Sequence, residues 1–256
     1  MISQQAIVAP GAKIASDAQI GPFSIIGANV EIGARTVVAP HVMITGHTTI
    51  GEDNKLFQFS SIGEAPQDKK YQDEPTRLTI GHRNVIREYC TISRGTVNDN
   101  GITRVGDDNL FMAYTHIAHD CIIGSNTIMV NMAMIAGHVQ LDDWAILSGA
   151  VTVHQFVKIG AHAFVAHHGA CTKDVPPYVM AVGSPAVPHS INSEGLKRRG
   201  FTPEQIRNLK NAYRVLYRSE LPLESAVQQL TELAPSQPEL LPLLKFIENS
   251  ERSLIR

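Results

Sequence analysis

The sequence is poor in charged and aromatic residues. Of its 256 residues, 18% are charged and 6% are aromatic, while 43% are apolar. An average globular protein has about 25% charged residues. The formal net charge is −2, which argues against a nucleic-acid-binding surface or a polybasic membrane contact. The composition favours a fold built from many small aliphatic contacts.

Cysteine is scarce as well. The chain has Cys90, Cys121 and Cys171, which are widely spaced and odd in number, so a disulfide framework is not expected. No CxxC pair suggests a structural zinc. The N-terminal residues lack the basic and apolar segments of a signal peptide, and no stretch approaches the roughly 18 apolar residues of a transmembrane helix. We therefore expect a cytoplasmic protein without membrane insertion.

A repeat of six residues organises the chain instead. Nearly every repeat opens on an aliphatic or aromatic residue. The openers run from Val8 to Ile62, from Ile80 to Ile92 and, after a slip of one residue, from Val105 to Cys171. A period of six differs from the helical period and is typical of a short strand followed by a tight corner. Three repeats complete one triangular coil of about 18 residues, and stacked coils form parallel sheets.

The interruptions of the repeat predict the domain organisation. The polar segments 64–79 and 93–104 are expected to leave the coil as excursion loops. Gly, Asn and Asp are expected at the corners, where a positive φ costs them little. The repeat ends near residue 176. The predicted fold class is mainly β, with a parallel β-helix over residues 1–189 and a small α-helical domain over residues 190–256.

Helix signals fill the C-terminal part. The sequence TPEQ, residues 202–205, has the pattern of a capping box with a proline in the first turn. Apolar residues then recur at spacings of three and four from Ile206 to Tyr217. Residues 223–234 and 239–250 are two further predicted helices.

Histidines gather in one part of the repeat. The segment THIAHDC, residues 115–121, contains His116, His119 and Asp120. Because residues one coil apart stack, we expect His119 to lie beneath Gly137, with Gln155 in the coil beyond. An imidazole is a suitable general base near neutral pH, and a backbone N–H one coil away is a suitable oxyanion donor. This pairing predicts acyl transfer.

Two further histidines, His138 and His154, adjoin this column and are expected at the same edge. Asn131, Gly149 and His167 form a second column at another corner of the prism. In a threefold trimer, different corners of neighbouring subunits can face each other, so we expect a cleft between subunits.

Other interpretations stay open at this point. His162 and His167 have an HxxxxH spacing that some zinc hydratases of hexapeptide fold use, although the coil below supplies no obvious third ligand. The histidines are also compatible with a solvated face on a non-catalytic scaffold.

The chain resembles the UDP-N-acetylglucosamine O-acyltransferases, hexapeptide-repeat enzymes that begin lipid A biosynthesis. The resemblance runs nearly end to end and is carried by the segments HTTIGEDNKLFQFSSIGE, EPTRLTIG, HIAHD, AGHV, VHQF, DVPPY and EGLKRRGF. It implies left-handed coiling and a homotrimer with active sites between subunits. It also implies transfer of a 3-hydroxyacyl group from acyl carrier protein to the 3-hydroxyl of UDP-GlcNAc. Neither a cofactor nor a metal is expected.

The resemblance also implies residue roles. It makes His119 the general base and Gly137 the oxyanion donor, while Asp120 orients the base or binds substrate. The substrate-binding positions that it implies are His116, His138, His154, Gln155, Asp68, Lys70, Asn192, Glu194, Arg198 and Arg199. Arginine suits the nucleotide diphosphate because its planar guanidinium binds phosphate in a bidentate manner. Candidates for docking the acidic carrier protein are Lys158, Lys173, Arg198, Arg199 and Lys210.

One position bears on acyl-chain length. His167 stands where small residues in the family accompany long acyl chains, so we expect it to block the far end of the acyl channel and to limit the chain to medium length. The nearest rival activity is that of the related N-acyltransferases, which usually have an additional N-terminal domain. A CoA-dependent acetyltransferase is a second rival and fits the long excursions less well.

Overall fold

A computed structural model of the chain describes residues 1–97 and 100–256. Within these residues, short strands form three sheets, and every third strand along most of the chain joins the same sheet. The chain therefore winds around a triangular prism, as the six-residue period predicts. This is a mainly β fold, a parallel β-helix with a helical C-terminal part.

The strands are numbered in chain order. The first sheet contains β1 (Ile7–Val8), β4 (Ile25–Ile26), β7 (Met43–Ile44), β10 (Ser61–Glu64), β13 (Thr91–Ser93), β16 (His116–Ile117), β19 (Met134–Ile135), β22 (Thr152–Val153) and β25 (Ala170–Cys171). The second sheet contains β2 (Lys13–Ile14), β5 (Val30–Ile32), β8 (His47–Ile50), β11 (Arg77–Ile80), β14 (Ile102–Val105), β17 (Ile122–Ile123), β20 (Gln140–Leu141) and β23 (Lys158–Ile159). The third sheet contains β3 (Gln19–Ile20), β6 (Val37–Val38), β9 (Lys55–Leu56), β12 (Val85–Ile86), β15 (Leu110–Phe111), β18 (Ile128–Met129), β21 (Ile146–Leu147), β24 (Phe164–Val165), β26 (Val179–Val182) and β27 (Val187–Ile191).

The register of the sheets follows the repeat. Uninterrupted coils pair residues 18 apart, as His116 pairs with Met134. The second residue of each short strand points into the prism, and Ile26, Leu56 and Ile117 are fully buried there. Stacked aliphatic side chains thus form one continuous core, which holds the corners in a fixed order along the axis.

The two excursions are shorter than the sequence predicted. They span residues 65–76 and 94–101, and Asn98 and Asp99 in the second lie outside the described residues. The predicted segments 64–79 and 93–104 reached into strands, because Arg77–Ile80 pairs with Ile102–Val105 over four residues. Leu78 and Thr103 are fully buried in these longer strands.

The corner residues with positive φ are not only the expected Gly, Asn and Asp. They include Asp120 (φ 59°), as expected, but also Tyr114 (φ 65°), His138 (φ 63°) and Phe156 (φ 65°). Backbone hydrogen bonds between coils hold these turns, so large side chains occupy them despite the usual penalty. Many repeat glycines instead stand where coils approach closely, as at Gly33, where a Cβ would lie 2.6 Å from the Gly51 carbonyl.

The C-terminal part is helical. Its helices are α1 (Ser193–Arg198), α2 (Pro203–Arg218), α3 (Leu223–Leu233) and α4 (Leu241–Glu248), with a 3-10 turn at Pro238–Leu240. The predicted capping box is present, since the Thr202 hydroxyl accepts from the Gln205 amide and the Gln205 side chain accepts from the Thr202 amide. None of the described helices is long and apolar enough to cross a membrane.

The helical part is tied to the prism at Asp174. This carboxylate is fully buried and accepts from the Lys158 amide at 2.8 Å and from the Ser250 hydroxyl at 2.6 Å. The last strand, β27, pairs with β26 in the antiparallel direction and ends at Ile191, just before the helices.

Candidate active site

A cleft of about 470 Å³ opens on the first sheet, over β16, β19 and β22. Of the predicted site residues, it is lined by His116, His119, Gly137 and Gln155, and Gln67 of the first excursion joins them. A larger depression of about 980 Å³ between the C-terminal helices is lined mainly by apolar side chains and contains no histidine. The smaller cleft is therefore the candidate active site.

His119 and Asp120 form a hydrogen-bonded pair. The His119 Nδ1 atom lies 2.9 Å from Asp120 Oδ2. Because a carboxylate accepts, Nδ1 carries the proton, and Nε2 of a neutral ring is left with a free lone pair. The side chain of Asp120 is only 1% exposed, whereas that of His119 is 18% exposed. The pair thus presents a basic nitrogen beside a cleft and keeps the carboxylate away from water.

Asp120 is held by further donors. The Thr96 amide lies 2.9 Å and 3.1 Å from its two carboxylate oxygens, and the Thr96 hydroxyl lies 2.7 Å from Oδ2. Burial alone would raise the pKa of Asp120, but the hydrogen bonds from His119 and Thr96 outweigh it and hold the pKa below its usual range. Asp120 is therefore a carboxylate at neutral pH, suited to stabilising a protonated His119.

Gly137 stacks on His119, as the repeat predicted. A Cβ at Gly137 would lie 2.6 Å from His119 Cε1 and 2.8 Å from Nε2. Among the residues that the structure describes, none accepts a hydrogen bond from the Gly137 amide. A free backbone donor therefore lies next to the basic nitrogen, an arrangement suited to an oxyanion beside a proton acceptor.

His116 also lines the cleft, on β16. Its Nδ1 atom lies 2.7 Å from the Thr91 hydroxyl. Burial lowers the pKa of His116, and the neighbouring His119 lowers it further. A neutral imidazole held by a hydroxyl is suited to hydrogen bonding with a substrate.

His138 and His154 are placed differently. The His138 ring stacks on Phe156 with centroids 4.3 Å apart, and its Nε2 atom lies 3.9 Å from Asp120 Oδ2. His154 is exposed, and its Nδ1 donates to the Gln155 carbonyl at 3.2 Å. Neither lines the cleft of the single chain.

The predicted substrate-binding residues Asp68 and Lys70 lie on the first excursion and do not line the cleft. Asp68 accepts from the Lys70 amide at 3.0 Å, which shapes a local turn, and the Lys70 side chain is exposed. Gln67 is the residue of this segment that reaches the cleft lining.

The predicted nucleotide contacts lie at another corner. Asn192 caps α1 by accepting from the Gly195 amide and donates to the His162 carbonyl. Arg199 lies over the Trp144 ring at 5.1 Å, and its Nη1 atom lies 3.1 Å from His162 Nδ1. The remaining two, Glu194 and Arg198, are exposed on α1.

The predicted chain-length residue, His167, is exposed and meets the His168 ring edge-on. It lies beside the corner that also carries Tyr114 and Met132, and this corner borders the sheet of the cleft farther along the axis. The single chain does not bring His167 into the cleft lining.

Thr91 and Thr96 are functional candidates that were not predicted from the sequence. Thr91 pairs with His116, but the second excursion separates them by 25 residues instead of 18. If the excursion is left out when the repeats are counted, Thr91 can be predicted to pair with His116. Thr96 lies on the excursion itself, where no periodicity indicates its contact with Asp120.

Some of the same residues could serve as metal ligands. Among those that the structure describes, His119, Asp120 and His138 are the group of three whose ligand atoms lie within 4.8 Å of one another. His162, in contrast, faces the Arg199 guanidinium, and burial together with this charge lowers its pKa to about 4. The HxxxxH pair therefore gains no third ligand within the described part of one chain.

Comparisons with known proteins identify the family of the chain. The family model described as "Udp N-acetylglucosamine O-acyltransferase; Domain 2" matches residues 174–255, and the bacterial transferase hexapeptide model matches residues 5–46 and 102–137. An acyl-[acyl-carrier-protein]–UDP-N-acetylglucosamine O-acyltransferase from Thiobacillus denitrificans is 56% identical over 255 residues, covering 100% of this chain and 99% of the relative.

Solved structures give the same result. The Francisella novicida UDP-N-acetylglucosamine acyltransferase has a TM-score of 0.98 and 46% identity, covering 100% of this chain and 94% of that chain. The UDP-N-acetylglucosamine O-acyltransferase of Moraxella catarrhalis has a TM-score of 0.97 and 45% identity, covering 100% and 99%. This chain is an acyltransferase and belongs to the UDP-N-acetylglucosamine O-acyltransferase family.

Proposed function

We propose that the protein transfers a 3-hydroxyacyl group from acyl carrier protein to the 3-hydroxyl of UDP-GlcNAc, the first step of lipid A biosynthesis. The observation that carries the proposal is the basic His119 nitrogen next to the free Gly137 amide. The Thiobacillus relative is named for an acyl carrier protein donor and a UDP-N-acetylglucosamine acceptor, which supports the proposal.

In the proposed mechanism, His119 Nε2 takes the proton of the sugar hydroxyl while its oxygen attacks the thioester carbonyl. The Gly137 N–H donates to the oxyanion of the tetrahedral intermediate. The intermediate then collapses, the C–S bond breaks, and the leaving thiolate takes the proton from His119. Asp120 stabilises the imidazolium between these steps through its hydrogen bond to Nδ1.

Direct transfer is favoured over an acyl-enzyme. Cys121 is the thiol nearest in sequence to the pair, but it is fully buried and donates to the Ala136 carbonyl at 3.2 Å. Burial raises the pKa of the Cys121 thiol to about 12. It is therefore neither accessible nor ionised, and a nucleophilic cysteine is not part of the proposal.

A homotrimer with active sites between subunits is part of the same proposal. Within one chain, the cleft and the Asn192–Arg199 group lie at different corners of the prism, so one subunit alone does not unite the proposed catalytic and nucleotide contacts. A stripe of exposed apolar side chains beside the cleft sheet, including Tyr114, Met132 and Met134, suits burial against a second copy.

The carrier protein, which is acidic, would dock on exposed basic residues. Of the five candidates, Lys158 bonds to the Asn249 carbonyl and Arg199 packs on Trp144. The other three, Lys173, Arg198 and Lys210, are exposed and are the better candidates for contact with an acidic partner. No cofactor enters the proposed reaction, and the cytoplasm stays the predicted location.

The test is an assay with UDP-GlcNAc and a panel of 3-hydroxyacyl carrier proteins of different chain length. We expect an ester at the 3-hydroxyl, identified by NMR, with best turnover at medium length because His167 blocks the channel. His167→Gly should move the preference to longer acyl chains. An unchanged preference would show that His167 does not limit acyl-chain length. Hydration chemistry that depends on added zinc, or no turnover at all, would instead favour the hydratase or the scaffold.

A further inference from the structure

Thr96 lies on the second excursion, 24 residues before Asp120 in sequence, yet it contacts the Asp120 carboxylate through two groups. Its amide bonds both carboxylate oxygens, and its hydroxyl lies 2.7 Å from Oδ2, the oxygen that also faces His119 Nδ1. Thr96 and Asp120 are both buried. Hydrogen bonds to a buried carboxylate are among the stronger ones in proteins.

The preceding glycine permits this approach. A Cβ at Gly95 would lie 2.2 Å from the Ile102 amide nitrogen and 2.7 Å from Asp120 Oδ1. Backbone cannot move aside as a flexible side chain does, so a side chain at position 95 would push the excursion away from Asp120. The local sequence is thus shaped for a close contact with the carboxylate.

Arg94 anchors the same segment from the other side. Its Nε donates to the Tyr71 hydroxyl at 2.8 Å, and its Nη1 donates to the Gly63 carbonyl at 2.9 Å. The Arg94 side chain is only 12% exposed. Since Tyr71 belongs to the first excursion, both excursions are joined immediately before the residue that holds Asp120.

We propose that Thr96 is a positioning residue of the acyl transfer: carried on the second excursion, it fixes the Asp120 carboxylate so that Oδ2 remains directed at His119. The proposal rests on the proposed function for its kinetic consequences. It gives Thr96 a part in the active site, because the Asp120 carboxylate has all of these hydrogen bonds only when Thr96 lies against it.

Three variants isolate the hydroxyl. Thr96→Val removes it at nearly constant volume, Thr96→Ser restores it, and Thr96→Ala is a second hydroxyl-free variant that leaves more space. The matched control is Thr127→Val, which removes a buried hydroxyl bonded to Asn109 at 2.7 Å on another corner. Folding of each is followed by thermal unfolding and circular dichroism.

We expect kcat of Thr96→Val to fall about 10-fold with little change in the KM for UDP-GlcNAc, the size of effect typical of one hydrogen bond to a charged group. Thr96→Ser should recover most of the rate. The groups facing the carboxylate are His119, His138 and Thr96, and losing one donor raises the pKa of Asp120. The acid limb of the pH–rate profile should therefore move to higher pH in Thr96→Val and Thr96→Ala, but not in Thr127→Val.

A measurement that needs no turnover distinguishes failure of this proposal from failure of the proposed function. The carboxyl carbon of Asp120, identified by its absence in Asp120→Asn, is titrated by 13C NMR in each variant. A midpoint at higher pH in Thr96→Val and near wild type in Thr96→Ser supports the positioning role, even if the wild type shows no acyl transfer. An unmoved midpoint in both hydroxyl-free variants, or a serine variant as impaired as the valine one, would overturn it.

Discussion

The two ring nitrogens of His119 face different partners. Nδ1 faces a buried carboxylate, and Nε2 lies beside Gly137 and the cleft. The carboxylate fixes the tautomer, and in the proposed mechanism it stabilises the protonated ring while the other nitrogen serves the substrate. The chemistry of the site thus depends on distances of a few tenths of an ångström around one imidazole.

Gly137→Ala tests the close approach of Gly137 to the His119 ring. The added methyl would lie 2.6 Å from the His119 ring, so the imidazole must shift or turn. Misplacing a catalytic group by about 1 Å costs roughly 100-fold in rate, and we expect a loss of this order in kcat with the fold retained.

The control for that change is Gly27→Ala. Its added methyl meets no atom closer than 3.4 Å, so its steady-state rate should stay near wild type. A Gly137→Ala enzyme as active as Gly27→Ala would contradict the stacking of Gly137 on the base.

The stacking of His119 and Gly137 could be predicted from sequence because it follows from the period alone. Two residues one coil apart must meet whatever their side chains are. The Thr96 contact could not be predicted, since the path of an excursion depends on tertiary hydrogen bonds such as those of Arg94. Periodicity fixes positions within the coil and says nothing about segments that leave it.

Among the structural elements, the corner at His162 joins the prism to the helical part. The His162 ring stacks between Trp144 and Tyr178, with centroids 6.3 Å and 5.7 Å away. Arg199, just after α1, donates to His162 Nδ1 and lies over Trp144. A neutral His162 is required here, because a protonated ring would face the guanidinium.

This corner predicts a pH dependence of stability. Burial and the Arg199 charge lower the pKa of His162 from 6.5 to about 4. The unfolded chain therefore binds a proton at this residue that the folded chain does not, so stability is complete above about pH 6.5 and falls as the pH drops toward 4. Because the ring is partly exposed and solvent screens part of the effect, the loss from this residue between pH 7 and pH 5 should be on the order of 1 kcal/mol.

Urea unfolding at both pH values measures this loss, with His162→Phe as the comparison. Phenylalanine keeps a ring between Trp144 and Tyr178 but does not titrate. Its free energy of unfolding should fall less between pH 7 and pH 5 than that of the wild type, and an equal fall in both proteins would rule out the assignment.

The sequence predicted which segments form coils and helices, but not the residues at which the excursions begin and end. The six-residue repeat predicted the coils, and the TPEQ segment predicted the start of α2. The predicted excursions were too long. Arg77–Ile80 and Ile102–Val105 contain polar residues, but other residues of these strands are buried in the core. The corners carry Tyr114 and Phe156 rather than only Gly, Asn or Asp, since hydrogen bonds between coils impose the turn.

In the whole molecule, one corner carries a ladder of stacked rings, Phe23, His41, Phe59, Tyr89 and Tyr114. Successive centroids lie 5.0, 5.3, 5.1 and 4.8 Å apart. The four rings other than His41 are exposed by about half in the single chain. An apolar stripe of this length beside the cleft supports the proposed trimer.

Tyr114→Glu tests the trimer, since a buried unpaired carboxylate at a subunit contact is costly. We expect light scattering to give three times 27.9 kDa for the wild type and a smaller mass for the variant. Activity should fall with the trimer fraction. Leu233→Glu alters an exposed apolar residue on α3 and should leave the mass unchanged; a trimeric Tyr114→Glu would show that this corner is not the contact.

In the proposed mechanism, His119 is the base of the acyl transfer. The most direct measurement is the single-turnover rate of 3-hydroxyacyl transfer from carrier protein to UDP-GlcNAc by wild type and His119→Ala, with the two compared for thermal unfolding and oligomeric mass. We expect a folded variant whose rate is lower by about 10²–10⁴-fold, the usual contribution of a general base. A folded His119→Ala that transfers the acyl group at the wild-type rate would contradict it.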